Sequence, residues 1–153
     1  MDTPAVSLMR TSDLVRRAAA LVIEPHGITI QQYNVLRILR GAGSEGLPTL
    51  EIAARMIEQT PGITRLLDRL EAKKLVRRER CPKDRRQVTC RISEEGLALL
   101  AALDGPVAES ERVALSGLTP RQIRQLITLL DRTRNGLHAA LAARRVKNSE
   151  EAS

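Results

Sequence analysis

Apolar residues recur along this chain at helical spacing in six stretches and alternate in a seventh. Leu8, Val15, Ala18, Ala19 and Val22 predict a helix over about residues 6–23, ended by Pro25, His26 and Gly27. Thr29 then fits an N-cap, with Gln32 three residues on to complete a capping box. Tyr33, Leu36 and Leu39 line the helix that follows, and GAGSEG (residues 41–46) reads as a loop. Two short helical segments come next. Thr49 fits the cap of the first, which carries Ile52, Ala53 and Met56. Thr60 fits the cap of the second, with Pro61 at the first helical position, where a missing N–H costs nothing. Ile63, Leu66, Leu67 and Leu70 form one buried stripe on that second helix. Its other side shows Pro61, Arg65, Asp68 and Ala72, flanked by Thr64 and Arg69.

After Leu75 the period shortens to two. LVRRERC and QVTCRI are rich in β-formers, and Pro82 to Arg86 joins them as a turn, so a β-hairpin with a charged tip is expected. Ser93 caps the next long helix, with Glu94 and Glu95 in its first turn and Leu97, Leu100, Ala101 and Val107 along its apolar side. Gly105-Pro106 should kink or interrupt that helix. Thr119-Pro120 opens the last helix, with Gln122 as capping-box partner and Ile123, Leu126, Ile127, Leu130, Leu137 and Leu141 as its apolar side. The polar end, VKNSEEAS, is expected to fray. The fold class is therefore mainly α with a small β-hairpin wing, and helix–turn–helix–hairpin is a winged helix-turn-helix.

Composition narrows the partners. The 153 residues suffice for one domain, and with a single Tyr and no Phe or Trp the core must come from Leu, Ile, Val and Ala. The same scarcity argues against binding single strands by base stacking. Net charge is +7, and residues 60–91 hold 11 basic against 4 acidic side chains, so this one segment carries the entire excess. That is the footprint of a polyanion partner. No apolar run reaches the length of a membrane span, and MDTPAVSLMRTSDLVRR lacks the order of a signal peptide, so a cytoplasmic protein with no membrane partner is expected.

Chemistry adds little. No phosphate loop, nucleophile elbow or zinc-protease motif is present, so no catalytic residue, metal site or cofactor is expected. Asp13, Glu24, Asp68 and Asp131 read as solvated helix charges. Cys81 and Cys90 bracket the hairpin turn about equally far from its tip. They read as one core thiol, Cys90, and one surface thiol, Cys81, against the alternative of a redox-sensing Cys81.

A helix of this size suits the major groove, and its free N–H groups suit phosphate. Thr60, Pro61, Gly62, Thr64, Arg65, Asp68 and Arg69 are the candidate recognition-helix residues. Arg80, Lys83, Asp84, Arg85 and Arg86 are the candidate wing residues, with Lys73, Lys74 and Arg77 as auxiliary phosphate contacts.

TPGITRLLDRLEAKKLVRRERCPKDRRQVTCRISEEG resembles the core of the multiple-antibiotic-resistance regulator (MarR) family. LPTLEIAARM resembles the first helix of that family's helix-turn-helix, TRLLDRLE its recognition helix and Asp84-Arg85-Arg86 its wing tip. The resemblance implies a homodimeric, ligand-responsive regulator of transcription, most often a repressor, bound to double-stranded DNA at a pseudo-palindromic operator. A winged-helix scaffold for proteins, which never binds DNA, is the rival. The resemblance also implies that Arg86 enters the minor groove. Asp84 would hold the wing by pairing with an arginine such as Arg69 or Arg77. On this reading residues 29–92 are the winged helix-turn-helix. Residues 5–24 and 93–145 supply dimerisation helices of one intertwined domain, and 146–153 is the frayed tail. The implied effector is a small anionic or aromatic molecule, for which Tyr33 is nearly the only stacking partner here. One departure stands out. The family usually has Gly after the recognition helix, where this chain has Lys73-Lys74, so Lys74 takes a left-handed conformation or the turn differs.

Overall fold

The computed structural model of this chain describes residues 3–59 and 61–151. Two compact units divide the chain, Met1–Ser110 and Glu111–Ser153. In order the elements are α1 (Pro4–Ile23), α2 (Ile30–Ala42), β1 (Leu47–Pro48), α3 (Thr49–Arg55), α4 (Ile63–Ala72), β2 (Val76–Arg80), β3 (Val88–Ile92), α5 (Glu94–Ala114) and α6 (Pro120–Glu151). Single 3-10 turns lie at Glu24–His26 and Gly43–Glu45.

Most helices start where a side chain can satisfy their free N–H groups. Thr29 and Gln32 form the reciprocal capping box, both bonds at 3.1 Å. Ser93 Oγ accepts from the Gly96 N–H at 3.0 Å and opens α5. Thr119 and Gln122 repeat the box at the head of α6, at 2.8 and 3.3 Å. Two starts differ from expectation. Pro48 occupies the cap position of α3, so Thr49 is its first helical residue. α4 begins only at Ile63, with Gly62 before it and no side-chain cap, because Pro61-Gly62 makes a turn rather than a first helical step. The expected Thr60 cap lies outside the described residues.

Within the first unit, the stripe read from α4 is buried as expected: Leu66, Leu67 and Leu70 are inside and Ile63 half-buried. They meet Val35, Leu36 and Leu39 of α2, Ile52 of α3, and Cys90 of β3 in one core. α5 presents Gly96, Leu100 and Leu103, with Val107 half-buried, rather than Leu97 and Ala101, which are exposed. Spacings of four, three and four keep one face inward, and Leu97 lies off it. α5 also runs uninterrupted through Pro106. A proline removes a single N–H, and the carbonyl it orphans belongs to exposed Ala102, which water can reach.

The sheet is antiparallel in the order β1–β3–β2. β2 and β3 form the expected hairpin, from Val76↔Ile92 to Arg80↔Val88. β1 was not expected; it pairs Leu47 with Cys90 and Pro48 with Thr89. Gly46 makes that approach feasible. Its φ is +69°, and a Cβ there would lie 2.4 Å from the Cys90 carbonyl oxygen.

α6, described by itself, has no buried residue. It remains helical to Glu151, so the expected fraying over residues 146–151 is not found. Lys147 and Glu151, one turn apart, support its end. No helix among the described residues is long and apolar enough to cross a membrane.

Candidate nucleic-acid interface

α4 presents Thr64, Arg65, Asp68 and Arg69 to solvent, and Pro61 is exposed just ahead of it. Gly62 is half-buried, at the point where the turn becomes helix. The hairpin adds exposed Arg80, Lys83, Asp84, Arg85 and Arg86. Strand pairing ends where the Cys81 N–H donates to the Gln87 carbonyl at 2.8 Å. The Gln87 N–H in turn donates to the Asp84 carbonyl at 3.0 Å. Asp84 does not pair with Arg69 or Arg77 as the resemblance implied. Its Oδ1 accepts the Arg86 backbone N–H at 3.0 Å, a local turn that a carboxylate two residues upstream makes readily. Asp84 therefore shapes the tip and leaves the Arg86 guanidinium uncommitted.

Arg78, which sequence reasoning missed, joins the hairpin to α4. Its guanidinium donates to Asp68 Oδ1 at 2.5 Å and to Glu71 Oε1 at 3.0 Å, and its backbone N–H donates to Glu71 Oε2 at 3.1 Å. These bonds raise the Arg78 pKa and hold the Glu71 carboxyl below its usual range. Asp68, read as a solvated charge, is thus one end of this link. The signal was present in the alternation. Arg78 shares the inward side of β2 with buried Val76, and a cation there needs a partner. Asn34 was also missed: its Oδ1 accepts the Ile57 N–H at 2.9 Å and pins the turn between α3 and α4 to α2.

The auxiliary cations fare differently. Lys74 has φ +61°, the left-handed conformation expected of it. Lys74 and Arg77 line a cleft with Glu71, Glu79 and Glu95 and so face carboxylates. Lys73 is exposed, yet its Nζ donates to the Gly27 carbonyl and to Gln32 Oε1. Arg69 lines the groove between α4 and the α1–α2 connection. Arg65, Arg69, Arg80, Lys83, Arg85 and Arg86 form no ion pair among the described residues. The arrangement is a polar helix beside a cationic arm, with its positive charges largely unspent.

The thiols do not form a cross-strand pair. Cys90 stands opposite Arg78 and Cys81 opposite Gln87, and both are free. Cys90 is fully buried, and burial pushes its pKa up, whereas Cys81 is half-buried rather than at the surface. Tyr33 is buried too, with Arg37 5.9 Å from its ring centroid, so it offers no open stacking face. Among the described residues no group of His, Cys, Asp and Glu is arranged to hold a metal ion.

The MarR family model matches residues 28–88. The HTH-type transcriptional regulator PecS of Dickeya dadantii (strain 3937) is 31% identical over 133 residues, covering 86% of this chain and 80% of that protein. TtmR of Methylorubrum extorquens (strain PA1), also an HTH-type transcriptional regulator, is 34% identical over 123 residues. That match covers 80% of this chain, which spans 61% of the length of TtmR. Among solved structures, a MarR transcription factor from Planctomyces limnophilus is 36% identical with a TM-score of 0.67, covering 86% of this chain and 98% of that one. MepR of S. aureus in its DNA-binding conformation is 25% identical with a TM-score of 0.76, covering 89% and 99%.

Proposed function

This chain belongs to the MarR family, and on that premise we propose that it is a cytoplasmic, homodimeric regulator of transcription that binds double-stranded DNA. One observation carries the reading: six cations with no ion pair among the described residues, Arg65, Arg69, Arg80, Lys83, Arg85 and Arg86, are gathered on one helix and one hairpin. α4 has the dimensions of a major-groove helix. Its Arg65 reads base edges or phosphate, and Arg69 with Thr64 holds the backbone. Thr60, Pro61 and Gly62 bring the start of the helix to phosphate. Arg80, Lys83 and Arg85 line the arm that delivers Arg86 to the minor groove, where A·T-rich sequence concentrates negative potential.

Dimerisation is supported by the apolar residues that the terminal helices leave exposed. In α1 these include Met9, Leu14, Val15 and Leu21; in α6, Ile127, Leu129, Leu137 and Leu141. A helix of 32 residues with none buried is not held by its own hydrogen bonds alone, and a second copy would cover it. Two recognition helices in one dimer then meet successive major grooves about 34 Å apart, which makes the operator pseudo-palindromic. A dimer across a promoter excludes polymerase, so the default action is repression, relieved by a small effector that shifts the spacing of the two helices. The winged-helix scaffold has no specific observation in its favour.

Arg86→Ala tests the reading. Operator affinity should fall, and the dependence of log K on log salt should flatten as the arm's cation is lost. Unchanged affinity and slope would remove the wing from the interface.

A further inference from the structure

We propose that Lys73 is a positioning residue that fixes the pose of the recognition helix, and that it is not a phosphate contact. The inference rests on the DNA-binding reading above and gives Lys73 a different role within it. Lys73 ends α4, and its Nζ donates to the Gly27 carbonyl and, at 3.3 Å, to Gln32 Oε1. Both acceptors are fixed points. Gln32 is 3% exposed, and its Oε1 already takes the Thr29 N–H that caps α2. Gly27 is left-handed, with φ 82°, and its N–H is bonded to the Glu24 carbonyl. One ammonium therefore ties the end of the recognition helix to the connection between α1 and α2.

The opposite side of the same helix end is held as well. The Lys74 carbonyl accepts Ser93 Oγ at 2.6 Å, and the Leu75 carbonyl accepts the Ser93 N–H at 3.0 Å. Lys74 is left-handed, a conformation that is strained for a non-glycine residue and persists where neighbouring contacts over-determine it. The helix end is thus clamped between α1–α2 and the start of α5. A lysine has three donors, and two of these are taken by acceptors of this chain. Because α1 carries the exposed apolar face assigned above to the dimer, the tie transmits the position of that helix to α4. The distance between the two recognition helices of a dimer then depends on Lys73.

The test uses the duplex that the full-length wild-type protein enriches from a random pool, and versions of it with one base pair inserted between the half-sites. Lys73→Met removes the donors and keeps the stem. It should lose about fivefold in affinity, the size of one ordinary net hydrogen bond. It should keep the wild-type salt slope and discriminate less against the inserted duplex, while Lys73→Arg restores the discrimination. A slope reduced by about 0.9 for each subunit would identify a phosphate contact and overturn the proposal. So would unchanged discrimination, including in a variant that merely melts earlier. A wild-type protein that enriches no duplex overturns the DNA-binding reading itself, and this proposal with it.

Discussion

Lys74 is the one non-glycine residue among the described residues with positive φ, and its side chain is exposed. Its backbone geometry is what glycine adopts without cost. Lys74→Gly should therefore raise stability, by up to about 1 kcal/mol, read from chemical denaturation. A loss of stability would mean that unfolded-chain entropy outweighs the strain. This conformation was legible in the sequence, because a known turn position held the wrong residue type. Arg86 was legible as a cation at a turn. The role of Asp84 was only half legible: its place at the tip was readable, but its partner was not. A carboxylate among many arginines gives no sequence clue to which donor it takes, and here a backbone N–H two residues on is nearest. The partners of Lys73 were hidden for the same reason. Its charge was visible, but the buried Gln32 oxygen that claims it was not.

α4 and the hairpin are separate elements that Arg78 joins. Asp68 and Glu71 lie one turn apart on α4 and converge on a guanidinium from β2 whose side chain is 22% exposed. The Glu71 carboxyl is held below its usual range chiefly by its hydrogen bond to Arg78. A carboxyl lowered in the folded state stabilises at pH above its unfolded pKa, and that contribution is lost as pH falls through the folded value. Glu71→Gln should thus melt below wild type at neutral pH, and the gap should close below about pH 4. A gap that persists in acid would mean that packing, not charge, joins the two elements. Because Glu71 is substantially exposed, the neutral-pH effect should be modest, about 1 kcal/mol or less. At this scale the caps gave the helices away: Thr29, Ser93 and Thr119 each mark a real start. β1 escaped notice because two residues, one of them proline, have no period to read. The start of α4 escaped because Pro61-Gly62 fits a turn as well as a first helical step.

Over the whole molecule, two features of the sequence have no use within one copy of the chain. One is the positive charge confined to residues 60–91. The other is the set of apolar side chains left exposed on α1 and on α6. A polyanion would answer the first and a second copy the second, and the proposed DNA-bound dimer would supply both. The mainly helical fold with a small antiparallel sheet was readable from periodicity, as was the family from the run between Thr60 and Gly96. The length of α5 and α6 was not, since Pro106 and a polar tail both argued for breaks. The measurement that bears most directly on the account is selection of duplex DNA from a random pool by the purified protein, followed by titration of the enriched duplex across salt. A DNA-bound dimer should select one motif with two half-sites about a helical turn apart, bound by two copies of the chain. Its log K should fall with log salt at a slope of about −4 or steeper. No enriched motif, or an affinity indifferent to salt, would contradict it.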